Sequence, residues 1–176
     1  MVHIEETIPV GTVGFSFDTN DLISWLIRLF MWSKISHTFL VIPNNKIIEA
    51  TAKGVVVRDF KKYLKPDKRY RLYKPVNLDN VPEKVAAVTA QYVGKSYGFL
   101  QLFGILLGMS FRCVFRRDLP FAIFKRGLVC SELVWLYLME LHEVSDAFDD
   151  FRRNFVTPED LRSRIKETLH FERLYL

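Results

Sequence analysis

The chain has 176 residues, 49% hydrophobic and 26% charged, with fifteen phenylalanines and only eight glycines. That composition suits a globular chain long enough to bury a full core as one domain over residues 1–176, and it excludes disordered and fibrous classes. A formal charge of +5 allows an anionic partner, yet no recognition helix, zinc-ligand spacing or aromatic–basic sheet motif accompanies the scattered basic residues. Nucleic acid, a bound metal and a cofactor are therefore not expected. Two cysteines, Cys113 and Cys130, make no disulfide framework, and the first residues lack the basic and apolar regions of a secretory signal. A reducing, cytoplasmic setting follows as the expectation.

Residues 10–17 alternate and are rich in β-formers, so a strand is expected there. Asn20 and Asp21 offer caps for an amphipathic helix carrying Leu22, Trp25, Leu26, Leu29 and Phe30. Residues 36–42 read as a strand, 43–46 as a turn and 46–50 as the return strand of a hairpin. A third short strand follows at 54–57, then a basic segment to Lys68 and a second alternating stretch at 69–73. Asn80, Pro82 and Glu83 supply the cap, early proline and acidic first turn of a helix that stops at Gly94.

Residues 98–115 form the least polar run, 18 residues interrupted by Gln101, Arg112 and three glycines. A bilayer span needs about 20 apolar residues, so a buried or interfacial helix is expected instead. From Val129 to His142 the chain reads as a helix apolar on nearly every side, the pattern of a helix buried in the core. An acidic loop at 146–150, a helix start at Thr157-Pro158 and a final strand from Phe171 complete the chain. Strands come early and the buried helix late, which makes the fold class α+β.

Cys130 stands at the first turn of that buried helix, behind Gly127 and with no capping side chain directly before it. Free backbone N–H groups and the positive end of the helix dipole lower a thiol pKa there. Free cysteine is also among the most buried residue types, so core filling is the plain alternative. A nucleophile needs a base, and the base an orienting partner. His142 ends the same helix, ~18 Å away along its axis, too far to serve. His37 opens an apolar strand directly after Ser36, and Glu49 is the only ionisable group in the run 47–50. A carboxylate there is costly unless paired, and an imidazolium suits it. Side chains alternate along each strand, so a two-residue loop at Asn44-Asn45 would put Glu49 and His37 on opposite faces. A shared face requires a three- or five-residue loop, or a bulge.

Ser36-His37, the acid in Ile47-Ile48-Glu49-Ala50, Gly94-Lys95-Ser96-Tyr97-Gly98, Val129-Cys130-Ser131-Glu132 and Thr157-Pro158-Glu159-Asp160-Leu161 follow one another in a recognisable order. The chain resembles the circularly permuted branch of the NlpC-type papain-like superfamily, which includes YiiX-like amidases, a poxvirus relative and lecithin:retinol acyltransferase-like enzymes. The resemblance implies a permuted papain-like fold in which an antiparallel sheet packs against the helix carrying the cysteine. It implies a thiol amidase or peptidase with Cys130 as nucleophile, His37 as base and Glu49 as orienting residue, and Tyr97 lining the substrate site. Glu49 in third place resembles the amidase side, since the acyltransferase-like members usually carry a second histidine there. The apolar run, with Arg112, Arg116 and Arg117 beside it, suits a lipid amide or ester instead of a peptide, or membrane-surface contact through residues 98–126. A non-catalytic relative keeping the fold as a binding module is the reading from a different class.

Overall fold

The computed structural model describes residues 8–17, 35–64, 69–96, 98, 128–151 and 156–175. The helix expected at 20–30, Tyr97 and residues 99–126 lie outside them, so all but Gly98 of the apolar run 98–115 and of the membrane contact proposed for 98–126 does too, Cys113 included. Within the described residues the order is β1 (Val13–Ser16), β2 (His37–Ile42), β3 (Lys46–Thr51), β4 (Gly54–Asp59), α1 (Phe60–Tyr63), β5 (Tyr70–Pro75), α2 (Val81–Tyr92), α3 (Cys130–Glu140), α4 (His142–Ser145), α5 (Pro158–Glu167) and β6 (Phe171–Leu174). The fold is mixed α+β.

The six strands form one antiparallel sheet in the order β4-β3-β2-β1-β5-β6. Period-two alternation gives the central strands two apolar faces, and both are covered, whereas the edge strands β4 and β6 carry exposed residues such as Arg58 and Glu172. On one face Val13, Phe15, Leu40, Ile42, Ile48 and Tyr73 pack against residues of α2, α3 and α5. On the other, Phe39, Val41, Ile47 and Leu72 meet Ile8, Phe60 of α1 and the partly buried Tyr63 and Tyr70. Burial on both faces explains why β2 reads as a continuous apolar run instead of an alternating one.

α3 is as buried as its composition requires: Cys130, Ser131, Glu132, Leu133, Val134, Tyr137 and Leu138 are all withdrawn from solvent. Its Tyr137 hydroxyl donates to the Gly11 carbonyl at 3.2 Å, tying the helix to the chain just before β1. Gly11 has φ +83°, and a Cβ there would sit 2.4 Å from Val81 Cγ1 and 2.5 Å from the Tyr137 hydroxyl. Only glycine fits between α2, α3 and the sheet at that point.

Helix starts follow the sequence signals in one case and depart from them in another. Thr157 caps α5 with a full capping box, accepting from the Asp160 N–H while Asp160 accepts from the Thr157 N–H. Asn80, expected as the cap of α2, is left-handed with φ 54° and its side chain caps nothing. Its carbonyl still accepts from Lys84 N–H, so the backbone begins the helix without the side chain. β4 runs to Asp59, two residues beyond the strand expected at 54–57, because the β3 ladder continues through Ile47↔Arg58 and Lys46↔Asp59.

Candidate functional site

The β2–β3 hairpin decides which residues can meet. Ile42 pairs with Lys46, leaving a three-residue loop, Pro43-Asn44-Asn45, in which both asparagines have positive φ. Asparagine tolerates that conformation better than most residues, which is why the loop can be this length. The register Leu40↔Ile48, continued by one residue, sets Glu49 opposite Phe39, on the face His37 shares. A two-residue loop would have turned the carboxylate to the other side.

His37 Nε2 lies 2.7 Å from Glu49 Oε2. The carboxylate is 3% exposed and the imidazole 16%. Glu49 is thus no edge-strand carboxylate in solvent, and the histidine remains open to a small reactant. On the other oxygen, Oε1, Arg58 Nε approaches to 2.8 Å. With Nε2 given to Glu49, the ring nitrogen left to face the thiol is Nδ1.

Cys130 opens α3, and His37 opens β2. Their side chains interact by charge and by hydrogen bonding, strongly enough to move both titrations. Burial alone would push the thiol up, but the His37 charge and hydrogen bond, with the N–H groups of Thr38 and Ser131, hold it below its ordinary value. Burial likewise pulls the imidazole down, and the Cys130 charge and hydrogen bond, then those of Glu49, raise it from 6.5 to about 10. Each group thus favours the charged form of the other. Val129, the residue before α3, offers no side-chain cap, so no side chain of that residue competes with the thiol for the N–H groups of the first turn. Ser131 does not compete for the thiol, because its hydroxyl donates to the Val156 carbonyl.

The structure therefore brings Cys130, His37 and Glu49 together. Three further residues join them that the sequence reading passed over. Arg58 comes from β4, two residues past Val56, which pairs with Glu49. Ser16 stands directly opposite His37 in the β1–β2 register and is fully buried. Tyr63 of α1 faces Ser16, its ring held edge-on by Phe39 at 5.0 Å and its carbonyl bonded by the Tyr70 hydroxyl. Burial, followed by the charge of Glu49, pushes the Tyr63 phenol far above its ordinary value, so it stays a neutral donor. The period-two run of β4 was the one available signal for Arg58. Nothing local marks Ser16 or Tyr63, whose positions depend on pairing between distant strands.

A thiol with a lowered pKa, an imidazole bonded to a buried carboxylate, and a helix start beside them are parts that acyl transfer can use. No protein-family model matches the chain, and no curated protein is significantly similar to it.

Proposed function

We propose that the protein is a cysteine-dependent hydrolase of the permuted papain-like kind, cleaving amides through Cys130, His37 and Glu49. The observation that carries this reading is the 2.7 Å bond between His37 and Glu49, with Cys130 at the start of α3 near enough to the imidazole for each to shift the other's titration. The antiparallel sheet packed on the cysteine helix is the layering a permuted papain-like fold would have.

The Cys130 thiolate attacks the carbonyl carbon of the substrate. The oxyanion is taken up by N–H groups at the start of α3, including that of Cys130. His37, protonated in the resting pair, gives its proton to the leaving nitrogen as the carbon–nitrogen bond breaks. The thioester that remains is attacked by water, whose proton passes to His37. Release of the acid restores the thiolate and imidazolium. Glu49 keeps the ring oriented and stabilises its charge throughout. The apolar composition of residues 98–115 favours lipid amides or esters as the alternative substrate class, and a free thiol suits a reducing compartment such as the cytoplasm.

A generic acyl donor tests the chemistry without knowledge of the substrate. After brief exposure to p-nitrophenyl acetate, mass spectrometry should find one acetyl group on Cys130 that disappears on standing. In His37→Ala the adduct should form slowly and persist. Absence of any adduct on Cys130 in the parent protein would contradict the proposal.

A further inference from the structure

We infer that Arg58 is a positioning residue of this site, its guanidinium holding the Glu49 carboxylate in place behind His37. The inference rests on reading Cys130, His37 and Glu49 as an active site. It starts from the position of Glu49, a carboxylate 3% exposed whose two oxygens face two different cations. Oε2 meets His37 Nε2 at 2.7 Å and Oε1 meets Arg58 Nε at 2.8 Å. The contact at Oε1 has ion-pair distance without a well-aligned hydrogen bond, so Arg58 acts there chiefly by charge.

That charge has a definite consequence. Among the described residues, the groups facing Glu49 are His37 from β2, Arg58 from β4, Tyr63 from α1 and, beyond the imidazole, Cys130 from α3. Tyr63 stays neutral. Thiolate, imidazolium and carboxylate sum to one negative charge, and a buried cluster with a net charge takes up a proton to lose it. A guanidinium cannot be deprotonated in a protein, so Arg58 closes the sum to zero permanently. Arg58 thus offsets the charge that a thiolate adds beside Glu49. Arg58 is half exposed, so its remaining N–H groups stay hydrated while Nε faces inward. The β3–β4 register builds this in, because Ile47↔Arg58 and Glu49↔Val56 place both charged side chains on one face of adjacent strands.

The test measures iodoacetamide alkylation of Cys130 against pH in the parent, Arg58→Gln, Arg58→Lys, Glu49→Gln and the Arg58→Gln/Glu49→Gln double variant. Removing a positive charge favours the protonated thiol, so Arg58→Gln should alkylate about threefold or more slowly near pH 6 and recover at higher pH. Arg58→Lys keeps the charge and should stay within about twofold of the parent. In the Glu49→Gln background the Arg58→Gln change should lose most of its effect, since the two act as a pair. Parent-like alkylation by Arg58→Gln, or an equal slowing with and without Glu49, would overturn the inference. Should Arg58→Gln fail to fold, the Lys variant decides: a parent-like profile supports the charge role, and one slowed about threefold near pH 6 contradicts it. If the parent itself shows no fast alkylation below the ordinary thiol range, the active-site reading fails, which is a separate result.

Discussion

At the scale of single residues, Cys130 and His37 shift each other's titration in opposite directions, and this sets how stability depends on pH. Folding raises the His37 pKa from 6.5 to about 10, so its contribution is complete below 6.5 and is lost as pH rises through 10. Folding lowers the Cys130 pKa from 9.0, so its contribution is complete above 9.0 and is lost as pH falls through the folded value. Between 6.5 and 9.0 the loss from one opposes the gain from the other, because a thiolate–imidazolium pair holds one proton, as a neutral thiol and imidazole in the unfolded chain do. Urea unfolding of the parent, minus that of the Cys130→Ala/His37→Ala double variant, should give a plateau over this interval and decline on both sides. A difference that climbs or falls steadily across it would mean that no ion pair forms.

At the scale of elements, the capping box of α5 separates stability from chemistry. Thr157 adjoins Val156, whose carbonyl holds the Ser131 hydroxyl beside the nucleophile, but its own side chain serves only α5. Thr157→Ala should therefore cost about 1 kcal/mol in urea unfolding and leave the pH profile of Cys130 alkylation unchanged. A shifted profile would show that the α5 start helps to place the thiol. The same elements show why some of the structure was legible beforehand. Thr157-Pro158 fixes a helix start through contacts within four residues, and the apolar run of α3 declares its burial. The hairpin was legible by a weaker route: a shared face for His37 and Glu49 demanded an odd loop, and Pro43-Asn44-Asn45 is one. Asn80 carried a cap signal equal to that of Thr157, and the left-handed turn before α2 took its side chain out of reach.

At the scale of the whole molecule, the site is a product of long-range pairing. Its residues come from β1, β2, β3, β4, α1 and the first turn of α3. Order along the chain, and the resemblance it carries, suggested Cys130, His37 and Glu49; of these Glu49 stands out in its own segment as a charged group among apolar neighbours. Arg58, Ser16 and Tyr63 do not stand out, and only strand register and sheet order bring them in. The central claim is that this assembly turns Cys130 into a thiolate at neutral pH with His37 as its counter-ion. The most direct measurement is the rate of Cys130 alkylation by iodoacetamide between pH 5 and 9, followed by mass spectrometry with Cys113 as the internal reference and repeated on His37→Ala. The account predicts that Cys130 reacts fast well below the ordinary thiol pKa of about 8.5 and slows when His37 is removed. Two cysteines that react alike, slowly and only near that value, with or without His37, would contradict it.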